Sequence, residues 1–382
     1  MNFKQLRVAV VHDWCYTYGG AERVLECILD LFPQAEVYTL FDRVPDNQRA
    51  FLRGKTPHTT FLNRVPGIEH RYKKLLPLLP LAIQSFNLRH YDLIISSHYC
   101  VAKSVITQPE QLHICYCHSP MRYAWDMMHA SLDQMGLVSG LKRRIYELLL
   151  SRLRVWDASS ANQVDVFVAN SSFIQKRIWR CYRRESVLIH PPVDTSQFSF
   201  ESQKKAFFFT AGRLVPYKQN RLIVEAFRQM PHLELHIAGG GEELDMLKKI
   251  APDNVKILGR LPADELSEKM KFARAFVFAA YEDFGIVPVE ALACGTPLVA
   301  YAKGGAVDYV HCHGKADKAN AVGFDEQSVT AIVAALNRFE QLPASAIDKH
   351  YCRQTAEQFS KEHFLQAFQQ LVETEWHKRH PH

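Results

Sequence analysis

Two carboxylates eight residues apart mark the segment from Tyr281 to Gly295, which reads YEDFGIVPVEALACG. Glu282 follows a predicted strand, and a glycine turn then leads into a helix entered near Pro288, because proline is favoured in a first helical turn. Gly285 lets backbone amides approach a ligand closely, and a helix N-terminus favours anions. Glu290 falls inside this helix, where its carboxylate can accept both hydroxyls of a ribose. The whole string favours a ligand site over a plain strand–loop–helix connection.

Two cations and a glycine run follow the first two predicted strands of the second half of the chain. In GRLVPYK, Arg213 and Lys218 flank a loop that leads from a strand into a helix, so both side chains can converge on a phosphate cluster. In IAGGGEE, Gly239 and Gly240 form a strand-end turn that would let a nucleotide lie against the backbone. Glycine turns are common, so this second pattern is the less specific one.

The first half of the chain carries a glycine pair and a histidine in comparable positions. Gly19 and Gly20 stand at the entry to a predicted helix in HDWCYTYGGAER. In YCHSPMRYAWD, His118 follows a strand and precedes a proline, which places its ring at the edge where the predicted strands end. A lone histidine is more often structural, so the residue type alone does not decide its role.

Short apolar runs that alternate with amphipathic stretches must position these residues, and this alternation is typical of parallel α/β layers. Helices are predicted at Ala21–Phe32, Leu141–Asn162, Leu222–Met230 and Phe364–Lys378. Strands are predicted at Leu6–Val11, Glu36–Leu40, Asp92–Ser96, His113–Cys117, Val166–Ala169, Ala206–Ala211, Leu235–Ala238, Val255–Leu258, Ala275–Ala279 and Pro297–Ala300.

A proline pair in HPPVDTSQF separates the two halves, because Pro191 and Pro192 favour extended backbone and interrupt helix. At 382 residues the chain is too long for one ordinary α/β core. The predicted fold is therefore α/β, with two Rossmann-like doubly wound domains facing a central cleft. We expect an acceptor-binding domain over residues 1–190 and a donor-binding domain over residues 191–363, with a C-terminal helix at about 364–382 packing back on the first domain.

Composition excludes several other classes of protein. The chain is 47% hydrophobic and 23% charged with a net charge of +6, which is ordinary for a globular protein and does not choose between phosphate-rich ligands and anionic membranes. Its longest apolar stretch, Leu75 to Ile83, is too short to span a bilayer. The nine cysteines have no zinc-site spacing. No D-x-D pair is present to hold a metal ion on a diphosphate, and dinucleotide and P-loop fingerprints are missing.

The quoted motifs together resemble those of retaining GT-B glycosyltransferases, in particular family 4. EDFGIVPVE looks like the E-x7-E signature of that family, and GRLVPYK looks like its GR-x4-K motif. Asp283 departs from the family pattern, which more often has glycine there, and we give it no role. The resemblance implies that the first glutamate meets the donor sugar, the turn amides meet the diphosphate and the second glutamate holds the ribose. In this sequence the resemblance therefore implies donor contacts at Glu282, Phe284, Gly285, Ile286, Val287 and Glu290.

The resemblance also implies roles for the other singled-out residues. Arg213 and Lys218 would bind and stabilise the diphosphate, and His118 would act beside the donor sugar and the leaving group. His118, Glu282, Arg213 and Lys218 are thus the expected catalytic set. Further donor contacts are expected at Gly19, Gly20, Gly239 and Gly240, and acceptor contacts at Asp13, Arg122, Tyr123 and Asp126.

The implied activity is transfer of a hexose with retention, most simply mannose from GDP-mannose. By resemblance the acceptor is a glycan or a polyprenyl-diphosphate-linked saccharide, in bacterial O-antigen, lipopolysaccharide or exopolysaccharide synthesis. No cofactor, metal ion or nucleic acid is expected. RYKKLLPLLPLAIQSF and the basic amphipathic stretch Leu141–Trp156 predict a cytoplasmic protein peripheral on the inner face of the plasma membrane. For the second stretch, a helix that packs its Leu/Ile face inside the domain is an equal alternative.

Three other functions stay open on the sequence. A sugar-nucleotide epimerase of the same fold would need general bases at the sugar and no acceptor residues. A phosphorylase would be far longer and would carry a pyridoxal lysine. A non-catalytic nucleotide-sugar binding partner remains possible, although the presence of His118, Arg213, Lys218 and both glutamates argues against loss of activity.

Overall fold

A computed structural model describes residues 5–343 and 345–380, apart from the side chains of Lys73 and Gln134. The chain divides into two compact units. Unit 1 comprises the residues up to Pro191 together with Phe364 and those after it, and unit 2 runs from Pro192 to His363. The boundary expected at residues 190 and 191 lies one residue before this division.

Unit 1 is built on a seven-stranded sheet in which every pairing is parallel. Its strand order, β3-β2-β1-β4-β5-β6-β7, reverses direction between β1 and β4. A parallel sheet of this order needs helical crossovers on both faces. The strands are β1 (Val8–His12), β2 (Glu36–Thr39), β3 (His58–Thr59), β4 (Leu93–His98), β5 (Leu112–Cys117), β6 (Val166–Ala169) and β7 (Ser186–Leu188).

Both faces of the unit 1 sheet are buried, as the near-continuous apolar runs of its strands require. Val8 and Val10 pack in one core cluster, whereas Ala9 and Val11 pack in another, because successive side chains of a strand point to opposite faces. The helices of unit 1 before the division are α1 (Gly20–Leu31), α2 (Ile68–Arg71), α3 (Leu79–Gln84), α4 (Met128–Gln134), α5 (Leu141–Ser160) and α6 (Ser172–Tyr182).

Unit 2 repeats the arrangement with six parallel strands in the order β10-β9-β8-β11-β12-β13. Its core is one large apolar cluster that includes the strand residues Phe209, Phe276 and Val299. The strands are β8 (Phe208–Ala211), β9 (Leu235–Ala238), β10 (Val255–Gly259), β11 (Phe276–Phe278), β12 (Leu298–Tyr301) and β13 (Ala321–Phe324). The helices are α7 (Asn220–Arg228), α8 (Leu244–Ile250), α9 (Ala263–Phe272), α10 (Ile286–Ala293), α11 (Val329–Gln341) and α12 (Lys349–Glu357).

The last helix, α13 (Lys361–Arg379), packs in unit 1 from Phe364 onward. Phe364 and Phe368 are buried in the same cluster as Val8 and Val10, and the Phe364 ring lies 5.8 Å from that of Tyr116. Each such buried ring contributes about 1.5–3 kcal/mol. The helix therefore completes one face of the unit 1 core.

The predicted fold class is confirmed, since both units are Rossmann-like with parallel sheets. Three strands were not predicted from the sequence: β3, β7 and β13. Each is an edge strand of its sheet. β3 and β7 are short and partly exposed, so they lack an apolar run, and Gly323 interrupts the apolar pattern of β13.

Candidate active site

The expected donor residues of unit 2 come from the loops that follow its two central strands. The strand order reverses between β8 and β11, so the chain leaves these neighbours in opposite directions and opens a crevice at their carboxyl ends. The first loop runs from Gly212 to a short 3-10 helix, Pro216–Lys218, and the second runs from Ala279 to Gly285. The fold thus brings two distant sequence motifs to one edge of the sheet.

An ion pair joins the two loops, since Lys218 Nζ contacts Glu282 Oε1. The two side chains are only 18% and 14% exposed, so the pair is shielded from water yet reachable from one side. Arg213 is exposed, and its Nη2 donates to the hydroxyl of Tyr217 at 3.1 Å. Burial and the nearby charge of Arg213 lower the pKa of Lys218 to about 7. A predicted phosphate ligand and the predicted sugar ligand are therefore in contact, and Arg213 lies near enough for its charge to act on Lys218.

The second loop ends at the N-terminus of α10. Gly285 is the N-cap residue with φ 90°, and an added Cβ would lie 2.8 Å from the Tyr309 hydroxyl, so a larger residue would be strained and crowded here. Ile286 and Val287 occupy the first two helical positions, whose N–H groups have no acceptor within a helix. This end of α10 can thus accept an anion, with the partial positive charge of the helix beneath it.

Phe284 and Glu290 are both buried around this helix. The ring of Phe284 packs between Tyr309 and Phe359, at 5.4 Å from each, so only the backbone of Phe284 can face a ligand. Glu290 is 3% exposed on α10. Its binding of a ribose stays a prediction.

Gly239 and Gly240 have a structural duty that the sequence did not reveal. An added Cβ at Gly239 would collide with the backbone carbonyl of Gly212, and the Leu214 amide donates to Gly240 O at 2.9 Å. The glycine run thus lets the loop that carries Arg213 pass directly over it. Close packing of the two loops thus accounts for both glycines, and their contact with the donor stays a prediction.

Sequence reasoning missed the residues that hold the Glu282 loop from the other side. The Gly305 amide donates to Glu282 O at 2.9 Å, and the Tyr309 hydroxyl donates to Phe284 O at 3.0 Å. Both belong to the segment after β12, where the sequence YAKGGAVDY carries a glycine pair at a strand end. That glycine pair was the sequence signal that could have identified this supporting segment.

In unit 1, His118 lies directly after β5, as expected. Its Nε2 lies 2.8 Å from the hydroxyl of Ser97, and the side-chain amide of Asn170 donates to its carbonyl oxygen at 3.0 Å. Burial lowers the pKa of His118 to about 3. The ring is therefore neutral near pH 7 and can donate or accept a hydrogen bond.

The expected glycine pair opens α1. Gly19 is the N-cap residue, Gly20 is the first helical residue, and the Gly19 amide donates to Glu22 Oε2 at 2.9 Å. Glutamate at the third helical position satisfies the backbone at the N-cap in this way. Contact of the pair with a donor stays a prediction.

Asp13, expected as an acceptor ligand, is a fully buried residue that holds a loop in place. It is 0% exposed, and both of its carboxylate oxygens accept hydrogen bonds from the backbone amides of residues 99–102 at 2.6 to 2.8 Å. All of its accepting capacity is directed at the loop after β4. The carboxylate fixes that loop, and contact of Asp13 with an acceptor stays a prediction.

The other expected acceptor residues lie together in the segment after His118. Asp126 forms a two-pronged ion pair with Arg177, whose side chain is 8% exposed. The Tyr123 hydroxyl lies 2.8 Å from Cys100 Sγ, and Arg122 is half-buried. These contacts give the segment a fixed shape, and acceptor binding by Arg122, Tyr123 and Asp126 stays a prediction.

Within residues 5–343 and 345–380, no group of three or more His, Cys, Asp or Glu side chains could hold a metal ion. Over the same part of the chain, no helix is long and apolar enough to cross a membrane.

Comparison with known proteins gives two family matches. Residues 18–197 match the family described as Glycosyltransferase Family 4, and residues 192–359 match Glycosyl transferases group 1. The chain is also similar in structure to Anabaena HepE in complex with UDP and glucose, with a TM-score of 0.70, 16% identity, and coverage of 97% of this chain and 100% of that one. At that identity the likeness bears on the fold alone.

Two mannosyltransferases are similar in sequence. The GDP-mannose-dependent alpha-(1-6)-phosphatidylinositol monomannoside mannosyltransferase of Mycolicibacterium smegmatis is 29% identical over 180 residues, which cover 39% of this chain and only 47% of that protein. The GDP-Man:Man(3)GlcNAc(2)-PP-Dol alpha-1,2-mannosyltransferase of Xenopus laevis is 26% identical over 402 residues, covering 89% of this chain and 81% of that protein. The chain thus matches about half the length of the first relative. The two matches together span residues 18–359, and both Rossmann-like units agree with the GT-B fold, so the chain is similar to glycosyltransferases of family 4 and group 1.

Proposed function

We propose that this protein transfers mannose, with retention, from GDP-mannose to a lipid-linked saccharide, in the synthesis of a cell-surface glycan. The two similar mannosyltransferases both use GDP-mannose, which supports the donor, and both act on acceptors attached to a lipid. The observation that carries the proposal is the contact of Lys218 with Glu282 beside the N-cap of α10, with Arg213 on the same loop as Lys218.

The ion pair between Lys218 and Glu282 suits a donor that brings both phosphate and sugar. A diphosphate entering this edge offers Lys218 a partner of higher charge, which releases Glu282 to accept hydrogen bonds from sugar hydroxyls. Desolvating a diphosphate without such cations would be expensive. Arg213 adds a second cation from the exposed end of the same loop.

Cleavage of the bond between the sugar and the phosphate moves negative charge onto the leaving diphosphate. Arg213, Lys218 and the first amides of α10 oppose that charge, and electrostatic stabilisation of this kind is worth most in the transition state. No carboxylate is assigned as a nucleophile, so the acceptor attacks from the same face and gives its proton to the departing phosphate. We assign neutral His118 to hydrogen bonding beside the reacting sugar.

Helix α5 is the proposed contact with an anionic membrane. Its inner face is anchored by a fully buried ion pair between Lys103 and Asp157 at 2.9 Å. Leu150 and Leu153 also point inward. Its outer face nevertheless exposes large apolar side chains among cations, a combination that suits a lipid surface of negative charge. These exposed residues are Leu141, Lys142, Arg144, Ile145, Leu148, Leu149, Arg152 and Val155.

Charge reversal on this face tests the membrane contact. Arg144 and Arg152 are exposed, whereas Arg143 is tied to Asp133 at 2.6 Å and is 16% exposed, so Arg143 is a poor probe. The double variant Arg144→Glu with Arg152→Glu should lose binding to vesicles that contain phosphatidylserine, and wild-type binding should weaken as salt rises. Reversal of exposed Lys248 on α8 is the control and should leave binding intact. Vesicle binding that is indifferent to both salt and the α5 variant would contradict the assignment.

The function itself is tested by supplying radiolabelled GDP-mannose with a bacterial lipid extract as the acceptor source. We expect label to enter the lipid fraction, and unlabelled GDP-mannose at 100 times its Kd to stabilise the protein by about 2.7 kcal/mol. UDP-glucose is the matched control donor. Transfer from UDP-glucose without transfer from GDP-mannose would overturn the donor assignment, and no transfer from any nucleotide sugar would overturn the activity.

A further inference from the structure

Beneath the glycine turn that opens α1, side chains from four separate elements form one hydrogen-bonded chain. His118 Nε2 lies 2.8 Å from Ser97 Oγ, and Ser97 Oγ lies 3.0 Å from His12 Nδ1. His12 Nε2 lies 3.4 Å from Glu22 Oε1, and the other oxygen of Glu22 accepts from the Gly19 amide at 2.9 Å. The chain therefore runs without a break from the ring of His118 to the N-cap of α1.

The members of this chain are packed away from water. His12 and Ser97 are 0% exposed, and Glu22 is 5% exposed. Buried polar groups must satisfy one another, so the direction of each hydrogen bond in such a chain is set by its neighbours. Bulk water does not reach His12 or Ser97, so it cannot offer either side chain another hydrogen-bond partner.

The direction follows from the chemistry of the groups. The carboxylate of Glu22 only accepts, so His12 donates through Nε2, and an imidazole that carries its single proton on Nε2 accepts at Nδ1. Ser97 has one hydroxyl proton, which it gives to His12 Nδ1, so the Ser97 oxygen accepts from His118 Nε2. His118 consequently carries its proton on Nε2 and has a lone pair on Nδ1.

We propose that Glu22, His12 and Ser97 are positioning residues that fix the tautomer and ring orientation of His118, leaving Nδ1 as its hydrogen-bond acceptor. This inference rests on the proposed function, which places His118 beside the reacting sugar. An imidazole held in this tautomer accepts a hydrogen bond from a substrate hydroxyl at Nδ1, and the opposite tautomer donates a hydrogen bond there instead. Glu22 serves the N-cap and the histidine at once, so the glycine turn and the His118 ring are held as one rigid unit.

Glu22→Gln is the sharpest structural test. Glutamine can keep the cap only by turning its oxygen to the Gly19 amide, which points its NH2 group at His12 and reverses every hydrogen bond along the chain. We expect the neutral His118 ring to move its proton from Nε2 to Nδ1. The measurement is the 15N spectrum of histidine-labelled full-length protein, with the His118 signal assigned from its loss in His118→Ala. An unchanged His118 tautomer in Glu22→Gln would show that Glu22 does not set this tautomer through the hydrogen-bonded chain.

The kinetic test uses two adjacent serines of β4. Ser97→Ala breaks the hydrogen-bonded chain. Ser96→Ala is the control, because it removes an equally buried serine–histidine contact outside that chain, from Ser96 Oγ to His113 Nε2 at 2.9 Å. We expect kcat to fall about 100-fold in Ser97→Ala with the KM for donor little changed, as for a misplaced catalytic group. In Ser96→Ala we expect kcat to stay within about twofold of wild type, with a similar loss of Tm in both variants.

The outcomes separate this inference from the proposed function. Equal kcat in the two serine variants, whether reduced or normal, would contradict the inference and make the hydrogen-bonded chain a structural network only. If the wild-type protein transfers no sugar, the proposed function fails, and the 15N measurement still decides whether Glu22 sets the tautomer of His118.

Discussion

The first six strands of unit 1 and the six strands of unit 2 have the same order, which reverses at one point in each sheet. The residues that occupy this point differ between the two units. In unit 1 the opening between β1 and β4 is filled by Asp13, whose carboxylate takes four backbone amides of the following loop. In unit 2 the corresponding opening between β8 and β11 holds the ion pair of Lys218 and Glu282, at the N-terminus of α10. Unit 1 therefore supplies its own anion, and unit 2 is arranged to receive one.

This difference shows why a shared topology does not fix function. The carboxyl ends of the central strands collect backbone N–H groups in any sheet of this order. Whether the site binds a ligand depends on whether an internal carboxylate already occupies the amides. In unit 1 the residue that we propose to act beside the sugar, His118, follows β5, one strand further from β1 than β4.

The largest expected effect comes from emptying the unit 1 anion site. Asp13→Ala leaves four buried amides without their acceptor, which should destabilise the protein by about 3–5 kcal/mol, the cost of breaking a buried charged network. The measurement is urea unfolding of the ligand-free protein, with exposed Glu110→Ala as the control. A loss below about 1 kcal/mol would mean that the loop after β4 does not depend on Asp13.

The unit 2 site should behave in the reverse manner, with a large kinetic effect and a small effect on stability. Arg213→Ala and Lys218→Ala should each raise the barrier by about 2–4 kcal/mol, since each cation stabilises the charge that develops on the leaving diphosphate. Exposed Lys256→Ala, in the same unit, is the control for general loss of charge. We expect kcat and donor affinity to fall while the Tm without ligand barely moves.

Two results would contradict this account of the cations. A raised KM with normal kcat would restrict them to ground-state binding. A collapsed Tm would make Lys218 part of a structural ion pair with Glu282, as Asp13 is part of the unit 1 framework.

Much of this comparison could be predicted from the sequence, and the limits are physical. The apolar runs of β1, β4, β8 and β11 predicted two doubly wound sheets, because strands buried on both faces must be apolar. The family resemblance of the two motifs assigned Lys218 and Glu282 to the same donor, and the structure brings the two side chains into contact. The sequence could not separate Asp13 from a ligand-binding carboxylate, since its partners are backbone amides 86 to 89 positions away, which no side-chain pattern reveals.

The depressed pKa of Lys218 predicts a smaller, pH-dependent effect. With a pKa of about 7 in the free protein, Lys218 is mostly neutral at pH 8 and regains its proton when a diphosphate binds. Donor affinity should therefore fall as pH rises above 7, with a slope that approaches tenfold per pH unit. Calorimetry in buffers of different ionisation enthalpy measures the linked proton uptake.

Lys218→Arg is the control for this effect, because arginine stays charged throughout this pH range. The variant should bind the donor with no proton uptake. Equal uptake in the variant and the wild type would assign the proton to another group.

The smallest expected effect is that of metal removal. Arg213, Lys218 and the N-terminus of α10 supply the positive charge for the diphosphate, so we predict transfer rates unchanged by excess EDTA. Activity that is lost to EDTA and restored by Mn²⁺ would show that the cations of unit 2 are insufficient alone.

The central claim, that unit 2 binds the nucleotide diphosphate and unit 1 is filled by its own carboxylate, is tested most directly by hydrogen exchange with and without GDP. We predict that GDP protects the amides of residues 212–218 and 284–287, while those of residues 99–102, already bonded to Asp13, exchange at the same slow rate in both states. Protection that appears in residues 99–102, with none at either loop of unit 2, would contradict the account.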